Sequence, residues 1–346
     1  MNIFAINFPY FCVSKSDVKI MKFFKYLLFS VAFLTGVNSC KKDSENLWKV
    51  DVKNPVEKVE LIDISKELYD PNVSLENFTE KYPFFQGTVP NEDFAERRKD
   101  PEEIKIYKEA ISKIDVVKLN KDLADLFSHI KNYFPTFTKP TVFLYSSALQ
   151  GIMDPIFYHS KENMLFIDIS AFMGENNPQY KAVEQYFQKS MNSKNILPKT
   201  SEIFAEHFVE PNSDHQKFID QIIYYGKLMT LQDAFLPNEP DALKMNYTPE
   251  QYEWAKDNEV NIWNYFVESN LVFSDDQRLS ERFINPAPFS KFYTEIDNDS
   301  SPQIGIFTGW QICRRFFQEK PETKLADFLK MNAQEIFNQS NYKPKN

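Results

Sequence analysis

Glycine is scarce, with seven in 346 residues. That argues against glycine-rich phosphate loops and against a scaffold of tight hairpins. Neither G-x-x-x-x-G-K-[ST] nor G-x-G-x-x-G occurs, so nucleotide chemistry has no local support. Histidine is rarer still. Any serine or cysteine triad must use His129, His159, His207 or His215, and none of these accompanies a recognisable nucleophile motif. The three cysteines are Cys12, Cys40 and Cys313, and only Cys313 lies well inside the chain. Basic residues are outnumbered, 40 to 49, for a net charge of -9. Four lysines and one aspartate in residues 1–39 carry +3 of that total, so the remainder carries -12. Such a body repels polyanions, which argues against nucleic acid as a partner.

Phenylalanine, by contrast, is abundant at 33, enough for a sizeable core. The most informative stretch is MKFFKYLLFSVAFLTGVNSC, residues 21–40. Lys22 and Lys25 form a positive n-region, and Leu27 to Gly36 a short apolar run. A small residue, Ser39, precedes Cys40. The run is short for a transmembrane helix, which needs about 20 apolar residues. The layout resembles the lipobox of bacterial lipoproteins. There the cysteine thiol takes a diacylglycerol and becomes the new N-terminus after cleavage between Ser39 and Cys40. The expected organisation is a leader over 1–39 with Met21 as the true start, then lipidated Cys40 and a polar tether over 40–55. A single globular domain follows over 56–346. The covalent lipid, including palmitate, is the only prosthetic group expected. A lipidated Cys40 cannot pair with Cys313, so Cys313 reads as a small buried hydrophobe.

The body reads as α+β, mainly helical around a small sheet. Val56 to Ser65 and Thr141 to Tyr145 are strand-like, and Met164 to Ile169 alternates as a third strand. Leu119, Leu123, Leu126, Ile130 and Phe134 recur at helical spacing, and Pro135 ends that helix. Thr200 or Ser201 is expected to cap a helix SEIFAEHFVE ending at Pro211. Asn212, Ser213 or Asp214 is expected to cap the next. Thr248-Pro249-Glu250-Gln251 starts a helix running through Trp254, Trp263 and Phe266. A Pro- and aromatic-rich loop over 282–302 leads to a long helix with Ile306, Trp310, Cys313 and Phe317 on one face.

Four segments carry a family resemblance: IYYGKLMTLQDAFLP (223–237), YTPEQYEWAKDNEVNIWNYFVE (247–268), RFINPAPFSKFYTEIDNDSSPQIGIFTGWQICRRF (282–316) and IFNQSNYKP (336–344). They resemble the gliding-motility lipoprotein GldB family of Bacteroidota. The resemblance implies a membrane-anchored part of the cell envelope, belonging to the gliding machinery and linked to type IX secretion. Its expected partners are envelope proteins of that apparatus, bound without catalysis.

A fainter resemblance links the strand–strand–helix–helix order to zincin-type metallopeptidases. In those, two His at i and i+4 grip zinc and a Glu before a Gly completes the set. Here His207 has no His four positions away, and Tyr225 precedes Gly226. His207 and Glu210 are the remaining candidate ligands. The expectation is therefore no catalytic residue and no metal, on a degenerate zincin-like scaffold. The alternative is a zinc-dependent envelope hydrolase with atypical ligands. Asp297 and Asp299 could bind a cation but read as ordinary turn residues. Trp310, Arg314 and Arg315 resemble a glycan or carboxylate site, although Trp310 also fits the core stripe. Asn285, Pro286, Pro288, Phe289 and Phe292 form the candidate partner-binding segment, since proline limits the entropy lost on binding. The other reading of those aromatics is that they pack the loop onto the core.

Overall fold

The computed structural model describes residues 46–210 and 217–345. Met21, Ser39, Cys40, Asn212, Ser213, Asp214 and His215 lie outside the described residues.

The expected strand over 56–65 is cut short by a helix cap. β1 (Leu61–Asp63) passes directly into α1 (Ile64–Leu68), because Asp63 Oδ1 accepts the Lys66 N–H at 3.0 Å. α2 (Leu75–Lys81), α3 (Asn91–Arg97) and α4 (Pro101–Ser112) follow. Ser74 caps α2 and Asp100 caps α4, with Pro101 in the first turn of α4. α5 (Val116–Tyr133) buries Leu119, Leu123, Leu126 and Ile130, the stripe legible in the sequence.

The sheet is completed by β2 (Thr141–Tyr145), β3 (Ile156–His159) and β4 (Met164–Asp168). Its order is β1-β2-β4-β3, with β3 antiparallel to β4 and the other pairs parallel. Both faces are covered, as parallel strands require. Val142, Leu144, Leu165 and Ile167 face the main core. Phe143 and Phe166 face a second, aromatic core under α1–α3, and their rings stack 5.1 Å apart. Asp168 ends β4 fully buried, yet satisfied. Its Oδ1 accepts N–H bonds from Ser147 and Ser170 and the Ser170 hydroxyl, and its Oδ2 accepts the Ser147 hydroxyl at 2.5 Å.

Beyond the short α6 (Gln185–Gln188), helices dominate. α7 (Ile196–Phe208) starts four residues before the expected cap. Thr200 and Ser201 lie inside it, and the Thr200 hydroxyl donates back to the Ile196 carbonyl at 2.7 Å. Pro198 is tolerated because a first-turn residue has no intrahelical N–H partner to lose. α8 (Phe218–Phe235) is buried along most of its length. α9 (Asp241–Lys244) is a single turn. The expected long helix from Thr248 is two: α10 (Pro249–Asp257) and α11 (Glu259–Glu268), broken at Asn258. Its start is as expected. The Gln251 N–H donates to Thr248 Oγ1 at 3.2 Å, and the Thr248 N–H to Gln251 Oε1 at 3.0 Å. α12 (Arg278–Phe283) takes the first residues of the expected loop. α13 (Ile304–Glu319) is the long helix, followed by the short α14 (Leu325–Lys330) and α15 (Ala333–Ser340). Lys227 of α8 ties α14 down through its carbonyl end, donating to Leu329 O at 2.8 Å and Met331 O at 2.7 Å.

The centre of the helical part is the crossing of α8 and α13. Three of the seven glycines, Gly226, Gly305 and Gly309, meet there. A Cβ on Gly309 would stand 1.7 Å from the Ile222 carbonyl oxygen, and one on Gly226 would stand 2.4 Å from the Gly309 oxygen. These three are spent on close backbone approach, whereas Gly87 and Gly174 take positive φ in open turns. Cys313 lies in the same crossing, fully buried, and burial pushes its thiol up to about 12. It is inert core.

Candidate functional site

A buried charge network lies beside the candidate cleft and reaches it through Lys244. Asp233 projects from α8 with its side chain 3% exposed. Lys244 Nζ donates to its Oδ1 at 2.8 Å, and the Trp310 indole N–H to its Oδ2 at 2.8 Å. The Arg314 guanidinium spans two carboxylates. It donates to both Asp233 oxygens at 2.9 Å and to Asp241 at 2.7 and 2.9 Å. Tyr252 donates to Asp241 at 2.8 Å, and Arg314 lies 3.7 Å over the Trp310 ring. Arg314 is thus saturated by the chain's own acids, which removes it as a receptor for an external carboxylate. Arg315 faces outward and pairs with Glu319.

Burial alone would raise the Asp241 carboxyl. The hydrogen bonds and charge of Arg314, with Lys244, more than offset it and hold it at about 2. A depressed acid stabilises the fold above its unfolded value near 4, and that contribution is lost as pH falls toward 2. The shift corresponds to about 2 kcal/mol. Denaturant unfolding of wild type and Asp241→Asn should differ most near neutral pH, and the gap should close by about that amount toward pH 2. A gap independent of pH would refute the assignment.

Lys244 also lines a cleft of about 180 Å³. α7 contributes Lys199 and Glu202, α8 contributes Tyr225, Met229 and Gln232, and the opposite wall includes Pro286 and Pro288. Glu202 keeps exposed surface, but the cleft wall crowds it. Burial pushes its carboxyl upward against a smaller opposing pull from Lys199. Glu206, one turn on, is also raised, by burial and by Glu202. Neither acid has an ion-pair partner among the described residues. Gln232 is 3% exposed, and its Oε1 has no hydrogen-bond partner among the described residues.

The sequence candidates divide around this cleft. Pro286 and Pro288 line it, and Asn285 is exposed beside them. Phe289 is half-buried. Phe292 is a correction: it is 5% exposed and packs on Tyr265 and Phe283 at 5.0 and 5.2 Å, so it anchors the loop inward and offers nothing to a partner. Asp297 ties the same loop by accepting N–H bonds from Phe292, Tyr293 and Thr294 at 3.0, 3.0 and 3.1 Å. Asp299 lies in the adjoining turn, Asp297–Asp299. His207 is exposed on α7, edge-to-face with Tyr158 at 5.3 Å, and Glu210 is exposed beyond the helix end. Among the described residues, no three His, Cys, Asp or Glu come together as a metal would require. Glu202 and Gln232 were not among the candidates. Glu202 is one of 49 acidic residues, and no local motif sets it apart.

A mainly helical α+β body with a small mixed sheet, its helices locked around a glycine crossing and a buried acid–base network, defines the class. The chain belongs to the GldB family: the family described as gliding motility protein GldB matches residues 45–344, nearly the whole described body. It is therefore a gliding-motility lipoprotein by family. No curated protein and no solved structure matches the chain. Among the described residues, no helix is long and apolar enough to cross a membrane.

Proposed function

We propose that this protein is a cell-envelope lipoprotein, held to a membrane by acyl chains on Cys40, that acts in gliding and its associated type IX secretion by binding other envelope proteins. The observation that supports binding is the cleft faced by Pro286 and Pro288. A proline-stiffened wall fixed inward by Phe292 and Asp297 is ordered before a partner arrives, so little conformational entropy is lost on docking. In this reading, the faint sequence resemblance to metallopeptidases reflects a scaffold reused for recognition.

The test is genetic complementation of a deletion strain, scored by colony spreading. Wild type and His207→Ala are expected to restore spreading. Pro288→Arg, which puts a charged side chain at the cleft wall, is expected to reduce it at least about tenfold at unchanged protein level. Loss of spreading with a well-folded His207→Ala, together with about one zinc per purified chain, would instead establish the zinc hydrolase.

A further inference from the structure

The chain is tied to the body earlier than its polar composition suggests. Trp48 packs edge-to-face on Phe317 at 4.9 Å and on Tyr133 at 6.0 Å, where α13 and α5 end. The segment that follows is strapped along α5. The Val56 N–H donates to Ser128 Oγ at 2.7 Å, and Asn120 exchanges two hydrogen bonds with the Val59 backbone at 2.8 and 3.3 Å. Of the expected tether over 40–55, at most residues 41–47 are left to act as one. The eight residue steps from Cys40 to Trp48 reach about 28 Å when fully extended. A compact body of about 300 residues is roughly 50 Å across. Lipid on Cys40 therefore keeps the Trp48 end within about half a body width of the bilayer. The chemistry of that end suits the neighbour. Leu47 is 43% exposed and Val50 36%. Lys49 and Lys53 are exposed around them, as are Lys131 beside Tyr133 and Lys320 one turn beyond Phe317. None of the four lysines pairs with an acid among the described residues. Over 47–53, 131–134 and 315–320 the acids are Asp51 and Glu319, and Glu319 is held by Arg315. This end is basic in a body that is acidic as a whole. The cleft lies elsewhere: Ile306 lines it eleven residues before Phe317, about 16 Å along α13.

We infer that the Trp48 end is the membrane face of the body, and that its partner is a bilayer surface carrying acidic headgroups. Leu47 and Val50 enter the boundary between headgroups and acyl chains, and the four lysines meet the headgroups. Trp48 fixes this patch to the ends of two core helices, so the whole body is oriented with it. Two apolar side chains and a few lysines bind lipid weakly by themselves. A covalent anchor eight residues away raises their effective concentration at the surface, and a weak patch is then enough to orient the body. The cleft stands clear of the lipid, open to proteins of the aqueous envelope. This inference rests on the acylation of Cys40 proposed above and adds an orientation to it.

The test uses the full-length lipoprotein in nanodiscs of phosphatidylethanolamine and phosphatidylglycerol, doped with nitroxide-labelled lipid. With Cys40 acylated and Cys313 fully buried, a thiol introduced at the surface takes a fluorophore alone. Val50→Cys reports the proposed face. Ile296→Cys, 51% exposed in the loop that leads into α13, reports the other end of that helix. The label at 50 should be quenched at least about twofold by the nitroxide lipid, and the label at 296 hardly at all. Combining Lys49→Glu with Lys53→Glu should relieve the quenching at 50 by about half, through repulsion from the acidic headgroups. An unquenched label at 50, equal quenching at both positions, or quenching that the two glutamates leave unchanged would each overturn the inference. Intact mass keeps it apart from the wider reading. Acyl chains on Cys40 with an unquenched label at 50 leave the lipoprotein standing without this face, whereas a chain that lacks them removes both.

Discussion

Asp233→Ala is expected to destabilise the protein by about 3–5 kcal/mol, the usual cost of removing one member of a buried charge cluster. Three groups lose their acceptor together. Lys244 has a side chain only 2% exposed and would keep just the longer contact to Asp241 at 3.4 Å. The Trp310 indole N–H, in a fully buried ring, would have no partner. Arg314 would lose one of its two carboxylates. Most of the cost comes from stranded charge and stranded N–H, not from the lost attraction itself. Removing both ends should therefore be milder. Asp233→Leu combined with Lys244→Met should recover at least about 1 kcal/mol relative to Asp233→Leu alone. Urea unfolding of wild type, Asp233→Leu, Lys244→Met and the double variant closes the cycle. An Asp233→Ala cost under about 1 kcal/mol, or strict additivity in the double variant, would show that the network does not act as a unit.

Gly309→Ala should be at least as damaging, about 4 kcal/mol or more, and the variant is expected to accumulate poorly. The added methyl would overlap the Ile222 carbonyl at 1.7 Å, and that oxygen belongs to helix backbone. A side chain can rotate away, but here α8 and α13 must separate, which opens gaps beside Trp310, Cys313 and Phe307. Gly226→Ala strikes the same crossing from the other helix, 2.4 Å from the Gly309 oxygen. Gly151→Ala provides the contrast, since its nearest neighbours are side-chain atoms of Asp168 and Ser147 at 3.3 Å and beyond. It should cost far less. Thermal unfolding of the three variants should rank Gly309 and Gly226 well below Gly151. Equal melting points would mean that the helices can part at little cost.

These two effects bear on function through one route. The network and the crossing hold α8, α9 and α13, and those helices form the floor of the cleft. A variant that loosens either should lose the shape of the cleft before it unfolds completely.

Local chemistry was readable wherever a few adjacent residues carry the whole cause. The stripe of α5, the strands at Thr141–Tyr145 and Met164–Asp168, and the Thr248–Gln251 box all have their determinants within a turn or two. β3 was not readable. It is four residues long at the sheet edge, with Phe157 and His159 facing outward, and its strand character comes from pairing with β4. The start of α7 was misplaced because Thr200 and Ser201 suit a cap as well as a helix interior, and only the surrounding helix selects between them.

The amino-acid sequence alone was enough to suggest an exported, lipid-held, acidic and mainly helical protein with the marks of one family, because leader, composition, periodicity and motif are properties of neighbouring residues. Tertiary structure decided the rest. Arg314 meets Asp233 and Asp241 across 81 and 73 positions, which turns an apparent receptor for outside carboxylates into an internal tie. Phe292 turns inward for the same kind of reason, while the Gln232 Oε1 is left buried without a partner among the described residues. Such choices depend on which distant side chains share a low-dielectric space, and a charge or an acceptor takes on its role only once that space is built.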